Sequence, residues 1–299
     1  MRVLVTGARG QLGAAMVHEF RPSTALRAGH EVFAFDRDEL DITDDAAIAA
    51  ALDSVQPDAI VNAAAYTDVD GSEDHPIDAL NANAFAVRSL ASAARRRNAT
   101  LVHFSTDFVF DGTASRPYTE NDEPSPRSVY ATSKLLGEWF AADAPRHYVL
   151  RVESLFGRAP GARPAKGSVA GILNGLVGGG QPKVFEDRTI SPTYVLDAAR
   201  ATRHLLESQP PSGLYHCVNT GSVTWLEFAR ELARQLGMEP RFIPTRMADL
   251  PLRAQRPQYC VLSNEKLRSA GFSMPAWQDA LARYLQTVRD DLTHQVPNR

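Results

Sequence analysis

Cysteine is nearly absent from this chain: there are two among 299 residues, Cys217 and Cys260. That excludes a disulfide framework and a cysteine metal cluster, and it suits a reducing compartment in which both act as buried thiols. The eight histidines show no metal-ligand spacing. No run of about 18 apolar residues occurs, so no membrane helix is expected. No signal-type apolar region opens the chain, and the expected location is the cytoplasm. Charge of one sign is missing too: the net charge is −3, and the basic residues are dispersed apart from Arg95-Arg96-Arg97, which ends a helical pattern where cations complement the dipole. Nucleic acid is not an expected partner. No internal repeat is visible. What is present is 44% hydrophobic residues, enough for one large domain or two interlocked ones.

A glycine fingerprint, Gly7-x-x-Gly10-x-x-Gly13, opens the chain after the apolar run Val3-Leu4-Val5 and ahead of the amphipathic stretch Gln11 to Phe20. The glycines therefore sit at a strand-to-helix turn, where exposed N–H groups and the helix dipole attract a pyrophosphate. Gln11 and Leu12 fall inside the fingerprint. Asp36 follows the second strand, Glu31 to Phe35, as ribose recognition requires. Asp36 would repel a 2′-phosphate while Arg37 would pair with one, so both NADPH and NADH are expected as cofactors.

Tyr130 and Lys134, four apart in Tyr130-Ala131-Thr132-Ser133-Lys134, project from one helix face. A neighbouring ammonium favours the phenolate and is expected to bring the tyrosine from about 10 toward neutral pH. The phenol can then protonate a carbonyl oxygen as hydride reaches its carbon.

Strand-like runs at Val3 to Val5, Val32 to Phe35, Ala59 to Val61, Leu101 to Phe104 and Tyr148 to Leu150 alternate with helix-length segments. This predicts an α/β fold with a doubly wound parallel Rossmann sheet. Helix starts are marked at Thr43-Asp44 and at Thr224 with Glu227, a capping box. Ligands of such sheets bind beyond the carboxyl ends of the strands. After the third run come Asn62-Ala63-Ala64-Ala65, small enough for a cofactor to approach the backbone. After the fourth come Ser105-Thr106-Asp107, with hydroxyls for a substrate carbonyl, and after the fifth Arg151 to Ser154. The irregular stretch Gly157 to Gly167 is expected to be a mobile loop beside the site.

These residues resemble the extended short-chain dehydrogenase/reductase superfamily, and within it the dTDP-4-dehydrorhamnose reductase family. The resemblance spans nearly the whole chain. It rests on Asn62 to Asp70 with Glu73, Ser105 to Gly112, Tyr130 and Lys134 with Gly137-Glu138, Ser191-Pro192-Thr193, Gly213 to His216, and Arg256-Pro257. It implies reduction of the 4-keto group of a nucleotide-linked 6-deoxyhexose by NADPH or NADH, in a homodimer. Thr106, Tyr130 and Lys134 would be catalytic: Thr106 polarises the carbonyl, Tyr130 donates the proton, and Lys134 holds the nicotinamide ribose. Asp41 and Ile42 would flank the adenine, and Thr67, Asp68, Val69, Asp107 and Phe108 would meet the sugar nucleotide.

Departures from the family concentrate at the sugar. Phe108 stands where rhamnose-forming members commonly have Tyr, and Ser154 where they have Trp, beside the added charge of Glu153. An interfacial metal-binding glutamate of some members is Ala15 here, and no metal is expected. Asp107 is not followed by the glutamate that family dehydratases use as their acid–base partner. An epimerase, or a non-catalytic regulatory subunit such as the methionine adenosyltransferase β subunit, remains an alternative.

The expected division places residues 1–152 with about 187–236 in the cofactor domain, and about 153–186 with 237–299 in a smaller substrate lobe. Arg256, and secondarily Arg253, are candidates for the substrate diphosphate through bidentate pairing. Trp225 and Trp277 are expected in the core.

Overall fold

The structure is a computed structural model that describes residues 1–21, 30–160, 162 and 167–294, with side chains described to residue 289. Five of the six strands in its main sheet are the five apolar runs: β1 (Arg2–Thr6), β2 (Glu31–Phe35), β3 (Ala59–Asn62), β4 (Thr100–Thr106) and β5 (His147–Val152). The sixth, β6 (Gly213–His216), is the Gly-Leu-Tyr-His segment. All pairings are parallel, in the order β6-β5-β4-β3-β1-β2.

Parallel strands are buried on both faces, which is why their runs are continuously apolar. Successive side chains alternate between two cores. Val3, Val5, Val61 and Leu150 join one, with helices α1 (Gln11–Phe20) and α6 (Val195–Ser208). Leu4, Ile60, Leu101 and Val149 join the other, with α2 (Asp45–Val55) and α3 (Ala86–Arg97). Asp44 caps α2 by accepting from Ala46 N and Ala47 N, and Arg95, Arg96 and Arg97 occupy the last turn of α3. The winding reverses at β1, which lies between β2 and β3, so a crevice opens at their carboxyl ends. Registers Thr6 to Asn62 and Asn62 to His103 bring these ends level.

A further core lies apart from the sheet. It joins α5 (Ser168–Val177), α7 (Trp225–Leu236) and α8 (Trp277–His294) around Phe156, Tyr194, Phe228 and Leu281. Helix α7 falls in the stretch assigned by sequence to the cofactor side, yet its buried face of Trp225, Phe228, Leu232 and Ala233 belongs here. The Thr224/Glu227 capping box that starts it is formed on both sides. Trp225 and Trp277 are both buried in this core. In the irregular stretch, positions 161 and 163–166 lie outside the described residues, as do 295–299 at the end of the expected lobe. Among the described residues, no helix is long and apolar enough to cross a membrane.

Candidate active site

A cavity of about 890 Å³ lies along the carboxyl ends of β1, β3, β4 and β5. At one end Gly7, Gly10, Gln11 and Leu12 face Asp36, Arg37, Asp41 and Ile42 across it, with Ala63, Ala64 and Ala65 as floor. Gly7 adopts φ +62°, and a Cβ there would sit 2.8 Å from Ala64 N and Cα. Only glycine lets the two loops meet this closely. Gly13 does not line the cavity. A Cβ on it would come 2.1 Å from Gly7 O, so this glycine lets α1 start tightly against the loop. Gln11 Nε2 donates to Gly157 O at 2.7 Å and ties the fingerprint to the segment after β5.

The acidic and basic groups at this end partner one another. Arg9 approaches Asp36 at 3.9 Å, and Arg37 pairs with Asp41 at 3.7 Å. Asp41 also accepts from Thr43 N and Oγ1, at 2.9 and 2.7 Å, and these bonds hold its carboxyl below the ordinary range. Asp41 is thus a turn cap and a cavity residue together.

The other end is built from β4 and from α4 (Val129–Ala141), which starts at the Ser128 cap. Tyr130 lies in its first turn and Lys134 in its second, and both line the cavity with Thr106, Asp107 and Phe108. Thr106 Oγ1 donates to Asp107 Oδ1 at 3.0 Å and accepts from Phe108 N at 3.2 Å, beside Tyr130 on the cavity wall. Lys134 Nζ donates to Phe104 O at 2.5 Å. Burial pulls the Lys134 ammonium down to about 8, with Glu138 opposing the shift.

The tyrosine corrects the expectation from sequence. Tyr130 is pushed up to about 12, by burial first and then by the charge of Asp107, while the Thr106 hydroxyl works the other way. The ammonium turned toward Phe104 O does not reverse this. A phenol held in this way stays protonated at neutral pH, the form a proton donor needs.

Beneath the cavity, Glu138 accepts from Ser105 Oγ at 2.5 Å and bidentately from Arg151 at 2.8 and 2.7 Å, locking α4 to β4 and β5. Asn83, in the π turn Asn81–Phe85, clamps Tyr66 by its N–H and its carbonyl (2.9 and 3.0 Å) and donates to Ser133 at 3.0 Å. Sequence reading missed Asn83. Its trace is Gly137, whose Cβ would lie 2.1 Å from Asn83 O.

The candidate sugar residues divide. Thr67, Val69, Asp107, Phe108 and Ser154 line the cavity, and Ser154 takes a left-handed φ of 45°. Asp68 instead accepts from Gly71 N at 2.9 Å, capping its own turn. Glu153 is turned away from the cavity: 1% exposed, it accepts from Ser191 N at 2.6 Å. Arg256 is also off the wall. Its fork matches Asp70, with bonds of 2.9 and 2.8 Å that hold the Asp70 carboxyl at about 2. Arg253 pairs with Asp74. Arg188, which lacked any periodic signal in the sequence, joins Arg37 and Lys134 as a cation on the wall; Trp225 lines the wall as well as packing in the core.

The family described as RmlD substrate binding domain matches residues 1–290. The dTDP-4-dehydrorhamnose reductase of Mycobacterium tuberculosis is 36% identical over 291 residues, covering 95% of this chain and 92% of that protein. The dTDP-4-dehydrorhamnose reductase of Streptomyces griseus is 36% identical over 306 residues, covering 99% and 97%. A crystal structure of the Bacillus anthracis dTDP-4-dehydrorhamnose reductase in complex with NADP superposes with a TM-score of 0.88 at 31% identity, covering 96% of this chain and 99% of that one.

Proposed function

Because this chain belongs to the RmlD substrate binding domain family, we propose that it reduces the 4-keto group of a dTDP-linked 6-deoxyhexose with NADPH or NADH. The observation that carries this reading is the convergence of Thr106, Tyr130 and Lys134 on the cavity whose far end is the glycine cradle. The cradle fits a dinucleotide: Gly7 permits the close approach to Ala64, and a side chain at Gly13 would collide with the Gly7 carbonyl and displace the loop. Gly7, Gly10, Gln11 and Leu12 would hold the pyrophosphate, and Asp36 with Arg37 the adenosine ribose. When bound, the nicotinamide supplies the hydride.

The residues then have distinct tasks. Tyr130 gives its phenolic proton to the carbonyl oxygen as charge develops there. Thr106, which lines the cavity with Tyr130, turns its hydroxyl from Asp107 toward the same oxygen and stabilises the developing alkoxide. Lys134, still largely an ammonium at neutral pH, releases Phe104 O for a ribose hydroxyl and stabilises the phenolate left on Tyr130. The core around α5, α7 and α8 serves as the substrate lobe, closing over the sugar through Ser154, Ser168 and Trp225. Exposed Ile77, Phe85 and Trp139 support a homodimer, and two free buried cysteines suit the cytoplasm.

The test is NADPH oxidation with an enzymatically generated dTDP-4-keto-6-deoxyhexose and NMR identification of the product. Cofactor binding with no turnover across a panel of keto sugars would favour the non-catalytic alternative.

A further inference from the structure

Arg188 sits on the cavity wall beside the proposed reaction centre, and its side chain is almost wholly enclosed at 9% exposure. Its guanidinium lies 5.0 Å from the centre of the Phe108 ring, which meets Tyr130 edge-on at 5.7 Å and 88°. Nη2 donates to Asp107 Oδ2 at 3.3 Å and to Cys260 Sγ at 3.4 Å. Nε is buried and finds no partner among the described residues. A guanidinium carries five N–H donors. Nε is thus a buried donor without an acceptor among the described residues, and such a donor is costly.

Behind it lie Asp107, Glu153 and Cys260, with a ligating atom of each within 4.8 Å of the others. The guanidinium bonded to two of the three fills the place a cation would take, so this group works as a cradle for Arg188 and not as a metal site. Glu153 Oε1 is also buried and unpartnered.

Position gives the cluster a meaning. Thr106 and Asp107 are consecutive, and their side-chain oxygens are 3.0 Å apart. Neighbouring oxygens on a sugar ring are separated by about the same distance as two hydrogen-bonded oxygens. With the keto oxygen at Thr106 and Tyr130, an oxygen on the adjoining ring carbon falls at Asp107 and Arg188, an acceptor beside a donor. We propose that Arg188, gripped by Asp107, recognises the hydroxyl on the ring carbon next to the keto carbon, and that Glu153 acts behind Arg188 as a positioning residue. This rests on the reading of the site as a sugar-nucleotide 4-ketoreductase, and it deepens that reading by naming what the substrate must carry.

Calorimetric titration of the full chain, saturated with NADP⁺, compares a dTDP-6-deoxyhexose bearing that hydroxyl with its 3-deoxy counterpart. The wild type is expected to prefer the hydroxylated ligand by roughly a hundredfold, since a site built to pair a hydroxyl rejects the analogue lacking it. Arg188→Met should remove most of that preference while binding the deoxy ligand within about threefold of wild type. Arg188→Lys keeps the charge but not the fork, and should retain only part of the preference. Where Arg188→Met fails to fold, Arg188→Lys decides the point. In turnover with the keto substrate, Glu153→Gln should move KM more than kcat and spare the deoxy substrate.

Equal affinity of the wild type for the two ligands, or equal losses on both in the Arg188 variants, overturns the inference. Hydroxyl-dependent binding with no turnover of any keto sugar overturns the reductase reading and leaves the recognition by Arg188 standing.

Discussion

Lys134 and Phe104 are joined by a hydrogen bond of 2.5 Å in which the lysine ammonium donates to the backbone carbonyl. The bond stores a functional charge where burial disfavours it, and Lys134 is drawn down to about 8 from its ordinary 10.5. The unfolded chain therefore binds the proton more tightly. Stability is penalised in full below pH 8, and the penalty is relieved as pH rises from about 8 toward 10.5. Lys134→Met should raise the unfolding free energy at pH 7 by on the order of 2–3 kcal/mol. It should abolish efficient cofactor use at the same time. In the wild type, the KM for NADPH should climb above pH 8 as the ammonium is lost. A chemical-denaturation series at pH 7 with a pH profile of KM checks both, and a destabilised Lys134→Met protein would contradict the argument.

Glu153 is raised well above 4.5 by burial first and then by Asp107, against the opposing pull of Arg188. Here the folded state holds the proton more tightly than the unfolded one. Its contribution is fully present below about pH 4.5 and is lost as pH rises through the folded-state value. Glu153→Gln replaces the acid with a neutral side chain that still accepts from Ser191 N, so it should raise the thermal midpoint at pH 8 by more than at pH 5. A fall at pH 8 would show that Glu153 is held as a carboxylate.

Gly137 faces Asn83 O, and a methyl group there would lie 2.1 Å from it. Gly137→Ala must push the π turn away from α4 and strain the clamp of Asn83 on Tyr66 and Ser133. A loss of about 1–3 kcal/mol is expected, the usual range for overpacking. Urea denaturation measures it, and an unchanged midpoint would show that the turn relaxes freely.

Asp36 lies 3.9 Å from the Arg9 guanidinium, and the next residue, Arg37, pairs with Asp41 at 3.7 Å. The carboxylate favours a ribose hydroxyl and the arginines a 2′-phosphate. Asp36→Ala should shift the ratio of kcat/KM for NADPH over NADH upward by about tenfold, while Arg37→Ala shifts it down. Steady-state kinetics with the two cofactors decides this.

The sheet was legible because each strand is a short apolar run at the pitch of an α/β chain, and the glycines sit where two backbones touch. The cofactor end and the Thr106, Tyr130 and Lys134 set followed from short local motifs. The sugar end was harder to read. Glu153 lies next to a strand end, and nothing local shows that Ser191 N turns its carboxyl inward. Arg256 has the chemistry for a diphosphate, but Asp70, far away in sequence, takes its fork. Arg188 reaches the cavity from a segment of short strands whose position is set by tertiary packing. The pKa of Tyr130 is not legible locally for a related reason: sequence places Lys134 beside it, whereas burial and Asp107 set the direction.

In the proposed mechanism Tyr130 is the proton donor of a sugar-nucleotide reductase. The most direct measurement is single-turnover NADPH oxidation by wild type and Tyr130→Phe, each saturated with a dTDP-4-keto-6-deoxyhexose. Tyr130→Phe should bind cofactor and sugar within severalfold of wild type yet slow the turnover by roughly 10²–10⁴-fold, the range for a lost general acid. A rate within threefold of wild type would contradict it.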